Sequence, residues 1–153
     1  MAHYRASIDT SWPPEAAFDY LSDFSTSAEW DPGVLEANRV GEATGAVAIG
    51  ADFRLVAEFL GRASELIYRV VELERPRVVT FHAENATVVS HDRITFESTS
   101  AGGTRVTYDA VLTLKGAMRL GDPLLAIAFR RVGDRALKGL GAILAGPPRT
   151  GSR

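Results

Sequence analysis

Tyr4, Ala6 and Ile8 alternate with Arg5, Ser7 and Asp9, the two-residue period of a strand with one buried face. Ser11-Trp12-Pro13-Pro14-Glu15 comes next, with a capping hydroxyl, prolines suited to a first helical turn and an acid near the positive end of the dipole. Ala17, Phe18 and Leu21 supply that helix's apolar stripe. Asp23 to Ser27 interrupts it, and Thr26-Ser27-Ala28-Glu29 reads as the capping box of a second short helix ending near Trp30-Asp31-Pro32. From Val34 to Leu114 the pattern is that of strands: Val34–Val40, Ala51–Leu60, Ser64–Leu73, Val78–Ala83, Val88–Glu97 and Thr104–Leu114. Glycine-rich turns or Glu74-Arg75-Pro76-Arg77 separate several of them, and proline cannot donate to a ladder.

The last element is helical. Asp122 suits the N-cap and Pro123 the first turn. Leu125, Phe129, Val132, Ala136, Leu140 and Ile143 recur at three- and four-residue steps as one apolar face. Arg130 with Asp134, and Asp134 with Lys138, stand four apart on the wet side, where Arg130 and Arg131 serve solubility and ion pairing. Gly146-Pro147-Pro148 ends the helix. About 22 residues at a rise of roughly 1.5 Å each span a whole seven-stranded sheet. With no helical pattern between the strands, the expected fold is α+β: a curved antiparallel sheet of about seven strands, two short helices and one long C-terminal helix. It occupies residues 1–146 as a single domain, and 147–153 reads as a flexible tail.

Composition changes this picture little. A chain of 153 residues with 46% apolar and 24% charged residues is an ordinary globular domain. Its formal charge of -2 argues against a nucleic-acid binder that relies on bulk charge. The absence of cysteine excludes disulfides, thiolate metal sites and cysteine nucleophiles. No stretch has the length of a signal peptide's apolar core or of a membrane span, so a cytoplasmic protein without stable membrane insertion is expected. No phosphate loop, Gly-x-Ser-x-Gly elbow or His-Glu-x-x-His helix is present. His82 and His91 fall on the outward parity without partners at ligand spacing. Neither a metal nor a cofactor is expected.

Small residues stand where a sheet wrapped on one helix would need large ones to fill it. Ala6, Ala57, Ala83 and Ala110 are inward, and the helix carries Ala126, Ala128, Gly133, Ala136, Gly139 and Gly141. These permit either close approach of the helix or an internal cavity. The element order, with Ser7–Phe18, Leu21-Ser22-Asp23, Trp30-Asp31-Pro32-Gly33, Tyr68-Arg69-Val70, Pro76-Arg77, Gly103–Tyr108, Leu114-Lys115-Gly116 and Asp122-Pro123-Leu124, resembles the START-like or Bet v 1-like (SRPBCC) superfamily. Within it the chain is similar to bacterial proteins described as polyketide cyclase/dehydrase and lipid-transport-like. The resemblance implies a helix-grip fold enclosing an apolar cavity. Members bind sterols, lipids, hormones or aromatic polyketides, and a minority cyclise and dehydrate polyketide chains. The superfamily has no universal catalytic set, so none is transferred.

Candidate site residues follow from parity and from that fold. Trp30, Phe53, Leu55, Phe59, Leu66, Tyr68, Phe81, Phe96, Tyr108, Leu125, Phe129 and Val132 are expected to contact a small hydrophobic ligand. Trp30 either does so or only staples the helices to the sheet, and Trp12 reads as packing at a helix start. Tyr68 and Tyr108 are core tyrosines or ligand-orienting, proton-donating groups. Asp92 shares parity with Ile94 and Phe96; it is a buried acid or base or, more simply, a rim residue bonded to a neighbouring loop. Three functions remain: a binder or carrier of a lipid, polyketide or isoprenoid; an aromatase/cyclase using Tyr68, Tyr108 or Asp92; and an interaction module with a collapsed cavity. Oligomeric state stays open.

Overall fold

Strand β1 (Ala2–Thr10) runs antiparallel to the last strand, β7 (Thr104–Leu114), pairing Ala2 with Leu112 and Thr10 with Thr104. Between them in sequence lie helix α1 (Pro14–Ser22), a 3-10 turn (Phe24–Thr26), helix α2 (Ser27–Trp30) and strands β2 (Val34–Arg39), β3 (Asp52–Phe59), β4 (Arg62–Glu74), β5 (Val78–Glu84) and β6 (Val88–Ser98). The seven strands form one antiparallel sheet in the order β1-β7-β6-β5-β4-β3-β2. Helix α3 (Asp122–Leu144) closes the chain. The computed structural model describes residues 1–41, 45–59, 61–116 and 122–149. The expected loop at Gly121, the end of β3 at Leu60 and part of the tail lie outside them, as does the side chain of the expected cap Asp122.

The helix-grip-like α+β fold expected from the pattern is the one observed. Irregular register between Val34 and Glu36 and between Val70 and Glu72 adds the local twist of a bulge to β2 and β4, helping the sheet curl. The alternation reads the faces correctly: Leu66, Tyr68 and Val70 are buried while Ile67, Arg69 and Val71 are exposed.

The expected caps differ. Helix α1 has Pro13 at its N-cap and no side-chain cap bond, with Pro14 opening the helix. The capping box of α2 does not form either. Thr26 instead donates to the Tyr20 carbonyl, 3.1 Å, and Glu29 accepts from the Tyr20 hydroxyl, 3.2 Å. With Thr26 wholly buried, its hydroxyl ties α2 to α1. Among the described residues no ion pair joins Asp134 to Arg130 or Lys138; Asp134 accepts from the Tyr4 hydroxyl of β1, 2.9 Å.

Helix α3 is held hardest at its C-terminal half. Leu140 and Leu144 are buried. Thr10 Oγ1 donates to the Leu144 carbonyl, 2.7 Å, and Trp12 Nε1 to the Gly146 carbonyl, 2.8 Å, satisfying acceptors that a helix end leaves open. Two glycines allow the close approach. A Cβ on Gly139 would lie 2.0 Å from the Trp30 carbonyl oxygen, and one on Gly133 2.6 Å from the Tyr4 ring. At Gly141 the nearest atom, on Ile8, is an ordinary 3.6 Å away. Gly139→Ala is therefore expected to cost about 1–3 kcal/mol through overpacking, whereas Gly141→Ala is expected to gain up to about 1 kcal/mol of helix propensity. Urea denaturation of the two variants measures the contrast, and equal effects would contradict the packing described.

Candidate functional site

Between the middle of α3 and the curved sheet, the structure holds a cavity of about 480 Å³. Its walls are mostly apolar: Leu55, Ala57, Leu66, Ala110, Leu112 and Leu114 from the sheet, Phe24 from the 3-10 turn, Trp30 from α2, Val34 from the start of β2, and Phe129, Val132, Ala136 and Leu140 from α3. Among the exposed lining residues are Glu58, Arg62, Ala63, Ser64 and Thr87, which mark a mouth at the β3–β4 and β5–β6 hairpins.

Eight of the residues expected at a ligand line this cavity: Trp30, Leu55, Phe59, Leu66, Tyr68, Tyr108, Phe129 and Val132. Phe53, Phe81, Phe96 and Leu125 do not. They lie in the solid core, where Phe81 stacks on Phe24 with ring centres 4.1 Å apart and Phe96 meets Phe18 edge-on. Parity places a side chain on a face of the sheet but not at a position along it, so inward aromatics beyond the cavity's end look the same in sequence. Trp30 lines the cavity, and its carbonyl packs on Gly139 of α3. Trp12 is fully buried at the helix start, edge-on to Tyr20.

Polar groups converge on one part of the wall. Asp92 is buried within the sheet face, away from the rim position preferred from sequence, because its strand neighbours Ser90 and Ile94 share its inward parity and are buried with it. Tyr68 donates to Ser90 Oγ at 3.0 Å, Ser90 donates to Asp92 Oδ1 at 2.9 Å, and Tyr108 donates to Asp92 Oδ2 at 2.5 Å. Burial pushes the Asp92 carboxyl up to about 6, against the pull of the Tyr108 and Ser90 hydrogen bonds. Both tyrosines are pushed well up, by burial first and then by the negative charge of Asp92.

Asp31 completes the group, a residue that the sequence pattern does not single out. It caps α2, its Oδ1 accepts from Gly33 N at 2.8 Å, and it lines the cavity. Burial raises its carboxyl to about 6, opposed by the Gly33 bond and reinforced by the charge of Asp92. Ser90 could have been read from its i−2 relation to Asp92. Asp31 sits in a turn, where no periodicity reports direction. His82 and His91 lie on the outer face, 3.5 Å apart through their Nδ1 atoms, and no group of three or more potential metal ligands occurs among the described residues.

The comparisons join this geometry to known proteins. The model of a family described as "Polyketide cyclase / dehydrase and lipid transport" matches residues 1–145. The chain belongs to this family. Among solved structures, it is similar to a START superfamily protein from Mycobacterium smegmatis, with 13% identity, TM-score 0.77, and 94% of this chain and 97% of that one covered. It is also similar to a protein from Thermus thermophilus, at 18% identity and TM-score 0.76, covering 93% and 96% of the two chains. The Zhui aromatase/cyclase of a Streptomyces species gives 15% identity and TM-score 0.74, covering 93% and 92%. At these identities the likeness shows the fold alone. No curated protein sequence matches. No helix among the described residues is long and apolar enough to cross a membrane.

Because burial raises the folded-state pKa of Asp92 above its unfolded value near 3.8, the folded protein holds this proton more tightly. The resulting stability is full below about pH 4 and is lost as pH rises through 6. Asp92→Asn is thus expected to gain on the order of 2 kcal/mol relative to the parent protein between pH 4 and pH 7. Urea titrations at both pH values measure this, and a pH-independent difference would contradict the burial described.

Proposed function

We propose that the protein binds or carries a small, largely hydrophobic molecule in its internal cavity, acting in the cytoplasm. The observation that carries this reading is the 480 Å³ cavity with apolar walls and a mouth on the hairpin side. That volume lies in the range of pockets that enclose drug-sized ligands, roughly 300–1,000 Å³. It also weighs against the collapsed cavity that an interaction module would have. Family membership supports the same reading, since its description includes lipid transport. The ligand belongs to the lipids, polyketides or isoprenoids.

The direct test uses 1-methylpyrene, an apolar fluorescent probe. It is expected to bind saturably at one per chain with the emission of a water-free environment. Ala110, a buried lining residue in mid-sheet, marks where the cavity can be filled. Ala110→Phe is expected to weaken the probe at least tenfold while the protein keeps a cooperative thermal transition. Unsaturable binding, or binding indifferent to the filled cavity, would overturn the reading.

One observation favours a second reading, an aromatase/cyclase acting on a poly-β-keto chain. The hydrogen-bonded set Tyr68–Ser90–Asp92–Tyr108, with Asp31 beside it, is a convergent polar group in an apolar chamber. In that reading Asp92 takes the proton next to a carbonyl, Tyr108 returns one to the developing alkoxide, and the walls fold the chain. Tyr108→Phe and Asp92→Asn are then expected to abolish turnover of a poly-β-ketone thioester followed by mass spectrometry. For a carrier, the parent protein returns the same compound unchanged and the variants alter only its affinity.

A further inference from the structure

The hydrogen-bonding groups around the cavity do not balance. Every hydroxyl proton of the polar set is already given away: Tyr68 to Ser90, Ser90 to Asp92, and Tyr108 to Asp92. What remains are acceptors. These are the lone pairs of the two tyrosine oxygens and of Asp92, and those of Asp31, whose Oδ1 holds only the Gly33 amide.

Against these acceptors stands one buried, unpartnered donor among the lining residues described. Trp30 is 4% exposed and lines the cavity, and its indole Nε1 is buried with no hydrogen-bond partner among the described residues. It is the residue next to Asp31. Its ring stands edge-on to that of Tyr108, with centres 5.9 Å apart, and the Tyr108 hydroxyl bonds Asp92. A buried donor left unpaired is costly, so a ligand that pairs it is bound more tightly. The other tryptophan has no such need, because Trp12 Nε1 donates to the Gly146 carbonyl.

We propose that the ligand carries a hydroxyl group, seated where its oxygen accepts from Trp30 Nε1–H and its one proton goes to a carboxylate oxygen of Asp31 or Asp92. This rests on the cavity being the binding site. A ketone or ether accepts but cannot donate, and leaves the carboxylates unserved. A protonated amine donates but cannot accept, and leaves the indole unpaired. A carboxylate only accepts and brings a like charge to the buried Asp92 and the half-buried Asp31, with Arg62 the sole lining cation among the described residues and exposed at the mouth. A hydroxyl does both and is neutral. To seat it beside the shielded indole nitrogen, the Trp30 or Tyr108 ring shifts, the kind of side-chain adjustment that commonly accompanies binding.

The experiment compares three fluorescent probes of one shape, 1-methylpyrene, 1-pyrenecarboxaldehyde and 1-pyrenemethanol, titrated into the full chain. In a purely apolar cavity the hydroxyl would weaken binding, since it loses water and gains nothing. The proposal predicts the reverse: 1-pyrenemethanol binds about tenfold tighter than 1-methylpyrene, the aldehyde falling between. Trp30→Phe keeps an aromatic ring against Tyr108 and removes the N–H, and it is expected to reduce that ratio at least fivefold. A second readout needs no variant. In an ¹H–¹⁵N spectrum the Trp30 indole signal is expected to move further with 1-pyrenemethanol than with 1-methylpyrene, while the Trp12 signal stays as the internal reference. Methylpyrene binding as tightly as the alcohol, or a Trp30 signal that responds equally to both, would overturn the hydroxyl assignment and leave the cavity reading standing. Failure of all three probes to bind would overturn both.

Discussion

The carbonyl of Trp30 lies where the side chain of any residue but glycine at position 139 would have to go. That contact brings the C-terminal half of α3 down onto α2 and β1, and the bonds from Thr10 and Trp12 to the last turn keep it there. A helix laid across a curved sheet leaves a gap beneath its middle. The gap is the cavity. The close approach and the chamber, which the small residues left as alternatives in the sequence, occur along the same stretch of helix: Gly133 and Gly139 make the close contacts while Val132, Ala136 and Leu140 line the space. Both Ala110 and Ala136 line the space that α3 leaves open.

The same contact sets the chemistry of the wall. By fixing the backbone of Trp30, Gly139 also fixes the neighbouring Asp31, and sheet pairing brings Asp92 opposite Ala110 and Ile94 opposite Tyr108. Two carboxyl groups thus share an interior with few charges to offset them. The tyrosine and serine hydroxyls donate everything they have to make Asp92 tolerable. A fold with no other use for this set would be more stable with apolar residues of the same size. Its presence in a cavity wall is the physical reason to attach function to it, whether that function is holding a ligand's polar group or moving its protons.

The legible part of this protein was its periodic part. Alternation along β3, β4, β6 and β7 assigned the inward side chains, and the three- and four-residue steps of α3 assigned its buried face. The illegible part was what periodicity does not encode. Phe53, Phe81 and Phe96 share the parity of true lining residues, yet they pack solidly against α1 and the 3-10 turn, because depth along a curved sheet depends on what lies above it. Asp31 lies in a turn and has no parity at all. The expected cap at Thr26 failed for a related reason: Thr26 is buried and donates to the Tyr20 carbonyl, a partner that local spacing does not reveal.

The central claim is that α3 and the sheet enclose a space that a small apolar molecule fills. Native mass spectrometry of gently purified protein, before and after incubation with an apolar extract of its host cells, tests it most directly. The account predicts a one-to-one adduct that exchanges with added ligand and is lost in Ala110→Phe. The bare chain mass under both conditions would contradict it.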